Sequence, residues 1–457
     1  NLALEVYKTS GSPASAATPL NQFFKLPPVA SNTNPTVFGP FLSDPKCYYD
    51  ADTGRWFVTI LSIPVDPATG AFVNTAPSFF FVAASQSNDP TGKWNLFAVD
   101  TTDDGTGGTP SNPGCPCFGD QPLIGADKHG IYVSTNEFPI IGPGFNGSQV
   151  YAISKVALEA GTATVAVHIN VGSFPTPDPN GIWYSLQPAT SPGGVYETAN
   201  GGTEYLMSAF DFNNTGDNRI AVWALTNSSS LATAKPNVGL AAVVIGTEPY
   251  IDRSVASGFS FSQRPGPTPL AGFFNFYFHT NNGLEPIQAN DDRMNQVVFA
   301  DGKLWSGVNT GLFGTGSFST IGIAYFIVTP SDASGTLSAV MTKQGYVAAG
   351  RDNVVYPSIG VNTAGKGVMS FTLSGPDFYP SAAYAPIDAT NGATGIHIAG
   401  AGRLPEDGFT GYNSPLCPPQ VCNNQTGARW GDYSAAVADE NGNIWLAAEY
   451  IPLAPRL

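Results

Sequence analysis

Short apolar runs, broken by turn-forming residues, fill this chain from end to end. The clearest unit is Asp120–Phe138. Gln121–Ala126 is apolar and β-compatible, Asp127-Lys128-His129-Gly130 is turn chemistry, and Ile131–Thr135 is a second β-rich run, so the stretch predicts a hairpin. The same order recurs at Asp44–Ile63 and Arg429–Tyr450, and more weakly at Ser185–Phe210, Met294–Asn309 and Tyr356–Thr372. Six tandem copies of a unit too small to bury its own apolar face predict a repeat architecture.

The predicted fold is all-β: a single β-propeller domain over residues 1–457 with six four-stranded blades, seven being the alternative. After its hairpin, blade one continues through Ser78–Ala84 and Trp94–Val99, and blade two through Gln149–Ser154 and Thr164–Val171. Blade three takes Tyr205–Phe210, Ile220–Leu225 and Val238–Ile245. Blade four takes Met294–Asn309, Gly322–Val328 and Leu337–Thr342, and blade five takes Tyr356–Thr372, Ala382–Pro386 and Ile396–Ala401. Blade six begins at Arg429 with room for only two strands. Within residues 1–43, Leu2–Thr9 is therefore expected to join blade six and close the ring, which removes an open edge; a linker follows it. The spacing between blades three and four is longer than the others, so 251–290 is read as an insertion or a seventh blade. The aromatic run Phe273–Phe278 reads as blade core, and Ile153–Gly161 as one helical turn.

Composition supports many strands and turns. Gly (51) and Pro (39) are abundant and charged residues make up only 12% of the 457. A net charge of −15 repels phosphate backbones, so nucleic acid is not an expected partner. No apolar run is long enough for a membrane span. The chain begins at Asn1 without Met, which suits a processed, secreted chain. Sequons at Asn146, Asn213, Asn227 and Asn424 are candidate glycosylation sites. Of five cysteines, Cys417 with Cys422 and Cys115 with Cys117 are expected to form two disulfides, within each loop or across the two, leaving Cys47 as a buried thiol. A four-thiolate metal site is the alternative.

Asp52-Thr53-Gly54, Asp127–Gly130, Asp301-Gly302 and Asp439–Gly442 are hairpin turns followed by Trp56, Tyr132, Trp305 and Trp445, aromatics expected to pack between blades. These D-x-x-G-x-x-W hairpins resemble the Asp-box (BNR) turns of secreted sialidase-like β-propellers, the nearest approach being Asp52–Phe57. Here the turns lie in the first hairpin of each repeat. Phe24–Pro27 carries Lys25 where the F-R-I-P motif of that family has Arg.

In a propeller the innermost strands line the channel. The first and second strands of each hairpin then bring Asp120 beside Asn136 and Glu137, and Arg429 and Asp432 beside Glu449. Asp44, Gln187, Arg293 with Asn309, and Arg351 with Tyr356 are the equivalents in the other blades. Arg293, Arg351 and Arg429 converging on one point would bind a carboxylate through bidentate hydrogen bonds. Pairing of these arginines with channel carboxylates is the structural alternative. The resemblance implies that such a triad holds an acidic sugar and that Tyr356 is the nucleophile. Asp120, Asp432 and Glu137 would transfer protons, with Asp44, Gln187 and Glu449 completing the substrate site. The expected function is a secreted carbohydrate-active hydrolase or lyase acting on an acidic glycan. The alternative is a non-catalytic extracellular propeller that binds glycans or self-associates.

The histidines (His129, His168, His279, His397) show no ligand spacing, so no metal or other cofactor is expected from them. Asp100–Gly107, DTTDDGTG, offers clustered oxygens for Ca²⁺, with a solvated loop as the alternative. No nucleophile elbow, P-loop or dinucleotide fingerprint is present.

Overall fold

β-Branched and aromatic residues between Gly, Asp and Pro breaks form strands through nearly all of the chain. The structure, a computed structural model, describes residues 3–162, 166–172, 181–210, 216–251, 260–268, 284, 286–313, 318–332, 335–406 and 428–453. The chain divides into two compact units, Asn1–Leu206 with Trp223–Ala241, and Met207–Val222 with Ala242–Leu457.

In the first unit, β1 (Phe41–Asp50), β2 (Arg55–Ile63), β3 (Phe79–Ser85) and β4 (Trp94–Asp100) form an antiparallel sheet in chain order. A second sheet follows the same plan with β5 (Cys117–Ala126), β6 (Gly130–Pro139), β7 (Gly147–Ser154) and β8 (Val167–Asn170). Helix α1 (Lys155–Ala160) connects β7 to β8. Ser154 Oγ accepts from Ala157 N at its start, and Gly161 ends it with φ 68°. Phe57, Phe80 and Val82 pack against Ile131, Val133, Tyr151 and Ile153, so one core cluster serves both sheets. β9 (Gln187–Thr190) lies in the same unit.

β10 (Thr203–Ser208), β11 (Asp217–Thr226) and β12 (Gly239–Tyr250) have their residues divided between the units. The second unit contains the antiparallel set β13 (Val297–Ala300), β14 (Lys303–Phe313), β15 (Phe318–Ser331) and β16 (Ser338–Val347). It continues with β17 (Asn353–Val361), β18 (Lys366–Ser374), β19 (Ser381–Asp388) and β20 (His397–Gly400), then the hairpin β21 (Ala435–Ala438) and β22 (Ile444–Ala447). Trp305, Met369 and Phe371, all 0% exposed, centre its main core.

The chain is thus all-β with consecutive antiparallel strands, as its pattern predicts. Several details differ. Ala3–Leu4 pairs with Thr18–Pro19 and not with the last hairpin. Leu20 and Phe24 are buried with Leu42, Val58 and Ile60, which anchors the N-terminal segment to the first sheet and leaves its strand a local partner. Cys47, expected as a buried thiol, is exposed on β1. Trp445 is 45% exposed and donates to Asp439 in its own turn, whereas Tyr132 and Trp305 are fully buried. Within 251–290 the described residues form only the short strands Ser260–Phe261 and Ile287–Gln288. Phe273–Phe278 and His279 lie outside the described residues, as do Cys417, Cys422, Asn213, Asn424 and the side chain of Arg429. No helix among the described residues is long and apolar enough to cross a membrane.

Candidate functional site

Three strands carry the same irregularity. The ladder shifts between Ser43 and Lys46, between Asp120 and Leu123, and between Val355 and Ser358. Each bulge contains a residue before proline, at Asp44-Pro45, Gln121-Pro122 and Tyr356-Pro357, with φ of 55°, 52° and 59°. Left-handed backbone at a non-glycine residue stores on the order of 1–3 kcal/mol, and bulges redirect side chains at strand ends. Ser185 and Gly431 bring positive φ to two more repeats, and Asn290 stands in the same conformation four residues ahead of Met294.

The neighbouring strand holds this backbone in place. Asn136 Oδ1 accepts from Ser185 N at 2.8 Å, and its Nδ2 donates to Ser185 Oγ. Asn309 repeats the device: its Oδ1 accepts from Tyr356 N at 2.9 Å, and its Nδ2 donates to Ala289 O. Tyr356 is 2% exposed and donates its hydroxyl to Gln288 O at 2.7 Å. That arrangement is a strut and not an open nucleophile.

Asp44 and Asp120 are both half-buried at the bulged ends of β1 and β5. Tyr48 and Ile124, four residues beyond each, share one core cluster, so the two carboxylates lie toward the same end of adjacent strands. Asp120 stands opposite Asn136 in the ladder, as expected, but Glu137 does not join them. Successive side chains in a strand alternate faces, so Glu137 points away from Asn136. Gln187 is buried and donates to Ile124 O and Pro188 O.

Arg293 and Arg351 do not turn toward a common point. Arg293 grips Asp291, two residues away, through Nε at 2.6 Å and a second bond. Arg351 grips Asp377 in the same two-point manner, with 70% of its side chain exposed. Asn290 Nδ2 lies 3.4 Å from Asp432 Oδ1, and Glu449 is exposed. Arg293 and Arg351 are thus each committed to an aspartate of their own, the structural alternative.

Glu137 belongs instead to a buried polar cluster in the first unit. Its Oε2 accepts from Asn112 Nδ2 at 2.8 Å and Gln149 Nε2 at 2.9 Å, and Asn170 Nδ2 donates to Asn112 Oδ1. Asp103 abuts Glu137 and is 0% exposed. Burial and the adjacent Glu137 charge push Asp103 up to about 8, and burial raises Glu137 as well. Burial lowers His168 to about 4, so its ring is neutral; its Nε2 lies 2.9 Å from Gln149 Oε1 and 3.7 Å from Asp103 Oδ2. Beside the cluster is a cleft of about 220 Å³ lined by Asp100, Thr109, Tyr151 and His168. Cys115 and Cys117 form a disulfide in the loop above. Sequence reasoning named Glu137 and the 100–107 loop separately and had no signal joining them.

Two more buried groups escaped it. Asp50 (0% exposed) binds Lys155 Nζ at 2.9 Å and the hydroxyl of Tyr196. Glu204, 3% exposed, has one oxygen without a hydrogen-bond partner. In the second unit, Tyr250, Phe313 and Tyr346 line an open cleft of about 740 Å³ with Asp217 and Asn218. Of the sequons within the described chain, Asn146 donates to Pro113 O and Asn227 to Asn237 O.

No family model and no curated protein matches the chain. Among solved structures it is similar to a protein of unknown function from Dyadobacter fermentans, at TM-score 0.36 and 11% identity over 88% of each chain. A Bacteroides thetaiotaomicron endo-arabinase aligns at TM-score 0.32 and 14% identity, over 77% of this chain and 95% of that one. Trypanosoma rangeli sialidase aligns at TM-score 0.35 and 9% identity, over 96% of this chain and 54% of that one. Sialidases are thus among the solved structures to which the chain is similar.

Proposed function

We propose that the chain is a secreted, carbohydrate-active β-propeller of six blades that hydrolyses a glycan, with Asp44 and Asp120 as the proton-transferring pair. The supporting observation is the left-handed, proline-flanked bulge beside each carboxylate, on adjacent strands and toward the same end. Such strain is retained where a side chain must be aimed. Positive φ near the start of each of the six repeats supports six blades, and the Cys115–Cys117 disulfide supports an oxidising compartment. Acidic-sugar specificity has lost its support, because Arg293 and Arg351 are occupied by aspartates.

Release of reducing ends from a panel of neutral and acidic polysaccharides tests the reading. Asp44→Asn and Asp120→Asn should each lower the rate by about 10²–10⁴-fold with an unchanged circular dichroism spectrum. Rates within a few-fold of wild type would refute it. A second reading, glycan binding without turnover, is favoured by the exposed aromatics of the larger cleft, Phe313 at 52% and Tyr346 at 40%. It expects binding that Phe313→Ala and Tyr346→Ala weaken, with no product from any polysaccharide.

A further inference from the structure

We propose that Asp103 and Glu137 bind a calcium-sized divalent cation beneath the 101–116 loop. Two other buried carboxylates of the first unit, Asp127 and Asp50, each have several donors. Asp127 accepts from His129 N, Gly130 N and Ser228 Oγ, and Asp50 from Lys155, Tyr196 and Thr53. Asp103 differs: it is fully buried, and among the described residues no group but the Glu137 carboxyl is placed to hydrogen-bond either of its oxygens. Its neighbour is a second carboxylate, and among the described residues no lysine or arginine pairs with either. His168, the one ion-pair contact of Asp103, stands 3.7 Å away. Two adjacent carboxylates inside a protein need a proton or a metal ion between them.

The loop is built to aim Asp103 inward. Asp100 and Asp104 are tied up locally, accepting from Thr102 N and Thr106 N, each at 2.9 Å. Asn112 N donates to Asp103 O at 2.8 Å, and Cys117 N donates to Thr102 O. Asp103 itself takes φ 48°, strain that a ligand would offset. Of the three carboxylates in Asp100–Gly107, then, Asp103 alone lacks a backbone or hydroxyl donor among the described residues. Both Asp103 oxygens and Glu137 Oε1 are hard donors of the kind calcium selects. The nearest sulfur, Cys115 Sγ at 3.1 Å from Glu137 Oε1, is locked in a disulfide and is no thiolate ligand. The cleft at Asp100 and His168 supplies an approach. In the metal-free protein the raised Asp103 keeps a proton that the cation must displace.

The test needs no polysaccharide and so is independent of the catalytic reading. Protein stripped with EDTA is titrated with CaCl₂ near pH 8, following heat by calorimetry and Tm by circular dichroism. Binding should saturate at one ion per chain and raise Tm by several degrees. Asp103→Asn should keep the fold and lose both signals; Glu137→Gln, which removes one of the two ligand charges, should weaken binding at least about tenfold. If Asp103→Asn does not fold, Glu137→Gln carries the comparison. No calcium response in wild type, an undiminished response in both variants, or stabilisation by Zn²⁺ but not Ca²⁺ would each overturn the proposal.

Discussion

Replacing Lys155 with Met should destabilise the first unit by about 3 kcal/mol, because it strands a buried carboxylate. Lys155 begins α1 and is 1% exposed; Asp50 ends β1 and is 0% exposed; their atoms meet at 2.9 Å. At an effective dielectric near 20, that separation gives a gross attraction of about 6 kcal/mol. Removing both ions from water costs several kcal/mol each, so the net worth of the intact pair is small. Breaking it is different, since one charge stays buried alone, at about 3–5 kcal/mol. Tyr196 and Thr53 still donate to Asp50, which places the expected loss at the low end. Urea unfolding of wild type, Lys155→Met, Asp50→Asn and the double variant forms a thermodynamic cycle. The double variant should be more stable than Lys155→Met alone, because no charge is left unpaired. Lys155→Met within about 1 kcal/mol of wild type, or losses that simply add, would refute the reasoning.

The metal-free protein should lose stability between pH 6.5 and 8. A carboxyl raised in the fold, as Asp103 is to about 8, stabilises the fold while protonated and loses that contribution as pH rises, at most about 1.4 kcal/mol per unit. His168, lowered to about 4, acts oppositely, losing stability as pH falls below 6.5, so the two offset one another in the acid range. Chemical unfolding in EDTA should show the alkaline slope in wild type and a shallower one in Asp103→Asn, where the raised Glu204 remains; equal slopes would contradict it. Asn309→Ala leaves Tyr356 N without its partner and should cost about 1–3 kcal/mol by urea midpoint, without altering the circular dichroism spectrum. Gly125→Ala should cost about 1–3 kcal/mol by the same measure, because a Cβ there would lie 2.5 Å from Ala189 O. A neutral result would mean that β5 and β9 are less closely apposed than described.

Turns and strand runs are local properties, so the sequence by itself determined them. Asp127 accepts from His129 N and Gly130 N within its own turn, and β1–β4 fall within a few residues of the runs that predict them. The partner of Arg293 was also local, two residues away, and proximity along the chain outweighed convergence from distant repeats. Tertiary structure decided the rest. The face Glu137 shows depends on register, where one residue reverses direction. Asp50 and Lys155 are 105 positions apart, and no local pattern marks them as a pair. The isolation of Asp103 is a property of everything packed around it: a sequence shows which groups a chain carries, but which of them lose water without gaining a partner is fixed only when the chain has folded.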